Sequence, residues 1–220
     1  MRQVAGPLFA QDEVQVCEHP VLASIREALL KAPHGELQPH TEDEQICSTP
    51  ILIQGADRCL SIDTSTLYGN SFAYAPRSVV LAAAKQLQPP QPSNILAMAA
   101  PAGGVGMYTE AHVLSVLTTA LCGYAAACSQ SPGRCTIASG HWGCGAFGGS
   151  RIMMAAIQLA AARLAGVHEF LYYAFDAQGA ADVREGCALL SRCWTPEGTH
   201  RDLVHRLAEA QVPFGVSDGT

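Results

Sequence analysis

The chemistry of this chain is concentrated in residues 137–149, Ile-Ala-Ser-Gly-His-Trp-Gly-Cys-Gly-Ala-Phe-Gly-Gly. Five of these thirteen residues are glycine, set between an apolar run and a long helical pattern. Strand, glycine-rich turn and helix together leave backbone N–H groups free to hold a phosphate. With no Cβ in the way, a ligand can approach that backbone closely. Trp142 and Phe147 add two aromatic faces able to flank a sugar or a base. Gly143, Gly145 and Gly148 also meet the spacing of a dinucleotide loop. Glu169 follows at about the distance, roughly 20 residues, where such a fold places its acidic residue. Glu169 opens a strand instead of ending one, which argues against that reading. A purely structural turn is the other alternative to a phosphate cradle.

The elements that must position this loop follow from composition and period. The chain has 220 residues, 49% of them apolar and 15% charged, which suits one domain with a single sizeable core over residues 1–220. A net charge of −6 and a pI near 5.7 argue against binding nucleic acid directly through its phosphate backbone, which needs a basic face. One small anionic ligand is still allowed, because charge-assisted hydrogen bonds outweigh screened surface repulsion. The nine cysteines form no CxxC pair, against a zinc ribbon or a disulfide framework. Cys122, Cys128 and Cys135 read as small core residues. No metal and no cofactor is expected. Met1 to Val14 lacks a basic start followed by an apolar core, so no secretory signal is read. Residues 111–133 resemble a membrane span in composition, but Val113, Leu117, Ala120, Leu121 and Tyr124 recur on one helical face, as in a buried helix. The expected protein is soluble and intracellular (cytoplasmic, nuclear or delivered as an effector), touches no membrane and keeps its thiols reduced.

Helices are expected over 21–32, 79–87, 109–128, 151–164, 183–193 and 201–210, and strands at 51–53, 60–62, 95–99, 136–138 and 170–175. In the helix over 151–164, Ile152, Ala155, Ala156, Leu159 and Arg163 trace the period. Residues 63–77 read as an extended loop with three aromatics, and the proline-rich stretch 88–93 as a turn or short linker. Strands alternating with helices give an α/β sandwich, mostly parallel in the second half. Ligands in such sheets sit beyond the carboxyl ends of the strands, here the loops 63–77, 100–108, 139–150 and 175–180.

Thr136 to Ser150, with Trp-Gly-Cys-Gly-Ala-Phe-Gly-Gly at 142–149, resembles the signature loop of the poly(ADP-ribose) glycohydrolases of the macrodomain superfamily. Leu171-Tyr172-Tyr173-Ala174-Phe175-Asp176 is similar to the family's Tyr-Phe-Thr-Phe-Gly strand end, and Leu121-Cys122-Gly123-Tyr124 to its Ala-Tyr-Cys-Gly-Phe helix segment. The resemblance spans 42–178, between a divergent N-terminal segment (1–41) and C-terminal helices (179–220). It implies a macrodomain-like three-layer α/β/α sandwich with a mixed, largely parallel central sheet. It also implies a ligand, ADP-ribose or an ADP-ribosylated protein. Gly140, His141, Trp142, Gly143, Cys144, Gly145, Ala146, Phe147, Gly148 and Gly149 would surround the ligand, with the amides of 143–149 on the diphosphate and Phe147 at the distal ribose. Phe175 would stack on adenine or be an ordinary strand-end aromatic. Tyr74 would clasp the ligand or stand as an exposed loop tyrosine. His141, in place of the family's asparagine, would bond the ligand or cap the turn. Cys144 reads as a packing residue, not a nucleophile.

The family's chemistry rests on Gly-Gly-Gly followed by Gln-Glu-Glu, the second glutamate being the general acid for glycosidic cleavage. This chain has no Gly-Gly-Gly. Its nearest analogue is Gly35, then Asp43-Glu44-Gln45-Ile46. One register puts Gln45 at the acid's position and the neighbouring one puts Glu44 there. Two functions therefore stand open: an ADP-ribosyl glycohydrolase, metal-independent, with Glu44 as its acid, or a macrodomain that binds ADP-ribose without hydrolysing it.

Overall fold

A computed structural model describes residues 9–31, 48–101 and 103–217. They fall into two compact units. One holds 9–31 and 53–95, the other 48–52, 96–101 and 103–217.

The first unit contains α1 (Gln11–Glu18), α2 (Val21–Lys31), α3 (Arg77–Ala83) and most of β1 (Ile51–Ile62) and β2 (Ala84–Ala97), whose residues 51–52 and 96–97 belong to the second unit. β1 and β2 pair as a two-stranded sheet. The Glu18 carboxylate is buried and fully used: it accepts from Arg58 Nε at 2.8 Å, Arg58 Nη2 at 2.9 Å and the Ile62 amide at 2.8 Å. Phe9, Val14 and Leu67 form a small separate core. Three expectations are corrected in this unit. Residues 51–62 are one continuous strand, not two. Helix α3 ends at Ala83, and the proline-rich 88–93 lies inside β2. Proline is confined to strand edges because it donates no ladder bond, and in a two-stranded sheet each strand has a free edge. The 63–77 loop contains two short 3-10 segments, Thr64–Thr66 and Gly69–Tyr74.

The second unit is built around a β–α–β motif. β3 (Thr136–Ser139) and β4 (Glu169–Tyr172) pair in parallel, Thr136 opposite Glu169 and Ser139 opposite Tyr172, joined through α5 (Arg151–Ala165). α4 (Glu110–Gln130) and α6 (Ala177–Cys193) pack on α5, and α7 (His200–Glu209) on α4 and α6. Side chains alternate along the strands: Ile137 and Phe170 pack on the helix core, whereas Leu171 and Tyr173 face outward. α4 is long and apolar enough to cross a membrane. It buries Val113, Val116, Leu117, Ala120, Gly123 and Tyr124 on one face, as the sequence pattern expects of a core helix. Cys122 is corrected: it sits on the outer side of α4, exposed, while Cys135 is buried and Cys128 half-buried. The face of α5 is corrected too. Residues 153–158 are all buried and Arg163 is exposed, because α5 is enclosed by α4, α6 and the sheet. Among the described residues the strands form two two-stranded sheets.

Candidate functional site

The loop leaving β3 is fixed at its start by a buried amide. Gln158, on α5, is fully buried. Its Oε1 accepts from the Ser139 hydroxyl at 2.6 Å and the Tyr124 hydroxyl at 3.1 Å, and its Nε2 donates to the Gly140 carbonyl at 3.1 Å. A buried polar network of this kind is rigid because each lost bond strands a group away from water. His141 comes next. Its Nε2 lies 3.1 Å from the Ala174 carbonyl, which only accepts, so Nε2 carries the hydrogen. Its Nδ1 then accepts from the Tyr172 hydroxyl at 3.1 Å. Burial raises the Tyr172 pKa well above the ordinary phenol range, which keeps that hydrogen in place. Both ring nitrogens of His141 are thus engaged by the ends of β4, an arrangement that ties the turn to the sheet.

Two turns form the middle of the loop. The Cys144 amide donates to the His141 carbonyl at 3.0 Å, and the Gly148 amide to that of Gly145 at 2.9 Å. A bond from the Gly149 amide to the Gly143 carbonyl, 2.8 Å, closes the two turns on each other. Gly143 has φ 72°, and a Cβ there would stand 2.9 Å from that of Ala100. Glycine is required here by both conformation and space. Within the loop the amides of Gly143, Gly145, Ala146 and Phe147 have no acceptor among the described residues. They adjoin the N-terminus of α5, where Ser150 caps the helix by accepting from the Met153 amide. Free amides beside the positive end of a helix are groups that can receive an anion.

The other residues expected at this site divide clearly. Cys144 is buried, and burial pushes its thiol up to about 12, so at neutral pH it is an uncharged packing residue. Trp142 packs on the core with its indole N–H buried and without a partner among the described residues. Ala146 is exposed and Phe147 half-exposed. Phe175 is 82% exposed with φ 63°, a conformation that costs a non-glycine residue on the order of 1–3 kcal/mol and gathers at functional sites. Its ring lies 6.0 Å from that of His141 and so close to Gly140 that a Cβ there would stand 3.3 Å from it. The structure thus brings 140–149 and Phe175 together. A second glycine-rich loop, residues 103–106, joins them: a Cβ on Gly103 would strike the Phe147 carbonyl. Tyr74, at the end of a 3-10 segment of the first unit, is exposed. Glu44 and its neighbours Asp43 and Gln45 lie outside the described residues. Among the described residues no cluster of three or more His, Cys, Asp or Glu side chains is arranged for a metal ion.

Sequence reasoning missed Gln158, Tyr124 and Tyr172 as the loop's supports. A signal for Gln158 existed: it is the lone amide in the apolar run 152–162, and such a residue must find partners when buried.

The sequence pattern of the poly(ADP-ribose) glycohydrolase family, macro domain fold, matches residues 44–182 of this chain. No curated protein matches it.

Proposed function

We propose an activity from one premise: the chain belongs to the poly(ADP-ribose) glycohydrolase family and has its macro-domain fold. The activity is metal-independent removal of ADP-ribose or poly(ADP-ribose) from modified proteins. The observation that carries it is the group of amides at Gly143, Gly145, Ala146 and Phe147, unpaired among the described residues and beside the start of α5, which suits a diphosphate. Phe175 offers its exposed ring to adenine, a contact on the order of 1–3 kcal/mol by analogy with base–aromatic stacking. Phe147 borders the distal ribose.

Glu44 is the proposed acid. As a neutral carboxylic acid it gives its proton to the leaving oxygen as the bond to the anomeric carbon breaks. As a carboxylate it then takes a proton from the water that attacks the oxocarbenium-like centre, which restores the acid. The family's three-layer sandwich is proposed for this chain as well, supported by the parallel β3–α5–β4 unit. The negative net charge supports a protein-borne ligand in place of a direct nucleic-acid partner.

A second reading is a binder without hydrolysis, favoured by the missing Gly-Gly-Gly and by Gln45 in one register of the acid motif. Calorimetry with ADP-ribose, paired with release of ADP-ribose from a modified protein by wild type and Glu44→Gln, separates the two. Binding with release that Glu44→Gln abolishes is the expected result. Binding without release leaves the binder, and absence of binding removes both readings.

A further inference from the structure

We infer that the segment 212–217, outside the family's matched residues, positions the phosphate loop through Phe214 and Gly215. The inference rests on the proposed diphosphate role of that loop. The segment is stitched to the second glycine-rich loop: the Tyr108 amide donates to the Val212 carbonyl at 3.1 Å, the Phe214 amide to the Gly106 carbonyl at 2.9 Å, and Met107 bridges Pro213. The Phe214 ring stacks on Tyr108 at 4.0 Å and 16°, with His112 edge-on to both rings. A Cβ on Gly104 would meet that ring at 2.5 Å, so glycine there is what admits it.

Tyr108 passes the support onward. It is 2% exposed, and its hydroxyl oxygen accepts the Ser150 amide at 3.0 Å. Ser150 is the residue that ends the loop and caps α5. Just past Phe214 the backbone itself touches the loop. A Cβ on Gly215 would lie 2.7 Å from the Gly149 carbonyl oxygen, and one on Gly148 would lie 3.0 Å from the Ser217 amide nitrogen. The segment is therefore a wedge between 103–108 and 148–150. Its thickness sets where the turn at 145–148 sits, and with it the direction of the Ala146 and Phe147 amides. Close packing transmits such a displacement because the interior has no slack to absorb it.

Phe214 and Gly215 touch no ligand in this scheme; they are positioning residues. The test uses the full chain with Gly215→Ala, Phe214→Ala and Phe214→Leu. Three quantities are read: ADP-ribose affinity, the phosphorus NMR shift of bound ADP-ribose, and amide hydrogen exchange of 145–149 without ligand. Gly215→Ala is expected to weaken ADP-ribose binding roughly tenfold, from the usual cost of one overpacked methyl, to move the phosphorus signal, and to speed exchange at 145–149. Phe214→Leu, which keeps apolar bulk, is expected to retain more affinity than Phe214→Ala, and it stands in if the alanine variant does not fold. Unchanged affinity together with unchanged exchange in Gly215→Ala and the Phe214 variants overturns the inference. If wild type binds no ADP-ribose, the proposed function fails, while exchange at 145–149 still decides whether the wedge holds the loop.

Discussion

At residues 139–141 the candidate phosphate loop is tied by side-chain hydrogen bonds, from Gln158 to its two hydroxyl donors and one carbonyl and from His141 to Tyr172 and Ala174. At residues 148–150 it is held by main chain pressed against main chain, with one phenol and one stacked ring behind it. The first anchor depends on which atoms donate and accept. The second depends on the room left by missing side chains. Substitutions that preserve shape but change polarity should therefore strike the start of the loop, and those that add a single methyl should strike its end.

The largest effect is expected at Gln158. Gln158→Met keeps the volume but takes the acceptor from the Tyr124 and Ser139 hydroxyls, while the Gly140 carbonyl keeps its bond from the Trp142 amide; at about 1–3 kcal/mol for each hydroxyl left unpaired, the loss is roughly 2–6 kcal/mol in all. Denaturant unfolding reads this directly. A loss below about 1 kcal/mol would mean that the start of the loop, too, is held by packing.

Gly149→Ala comes next. Its methyl would stand 2.7 Å from the Gly143 carbonyl oxygen, and overpacking of this kind costs about 1–3 kcal/mol. ADP-ribose binding should fall with it. Gly166→Ala is the contrast: φ is 73° there but the space is open, so strain of about 1–2 kcal/mol appears without loss of binding. If both variants bind alike, shape does not govern the end of the loop.

The smallest effect is a pH dependence behind the second anchor. His205 on α7 lies 2.7 Å from Glu110, at the start of α4, and 3.3 Å from Glu209. The hydrogen bond to Glu110, with the Glu209 charge second, raises its pKa above the ordinary 6.5. A raised imidazole contributes stability that is fully present below pH 6.5 and is lost as pH climbs through the folded value. Thermal midpoints of wild type minus His205→Ala, measured across pH 5.5 to 8.5, should shrink towards alkaline pH. The change is small, because exposed ion pairs are weak. A difference that grows with pH would contradict the pairing.

Much of this was legible beforehand. The one-sided period of α4, the extents of α2, α5 and α7 and the apolar run of β3 were plain, and the loop at 143–149 spelled out both its glycine turn and its family. The start of α6 was also written in the chain, since Asp176 caps it by accepting from the Gly179 amide at 2.6 Å, yet the expected helix began several residues later. The strand through 88–93 was hidden because three prolines there argue locally for a turn, and only pairing with β1 decides otherwise. The buried face of α5 was misjudged because a helix enclosed on several sides loses the one-sided period that a sequence displays.

The sequence by itself determined the loop and the helices that bracket it, because glycine content, capping residues and apolar spacing act over a few neighbouring positions. Only the tertiary structure decided that Gln158, Tyr172, Tyr108 and Phe214 hold that loop, and that Trp142 turns its ring onto the core. Hydrogen-bond partners and close contacts are set by residues far apart in the chain, and their meeting depends on packing that no local pattern encodes.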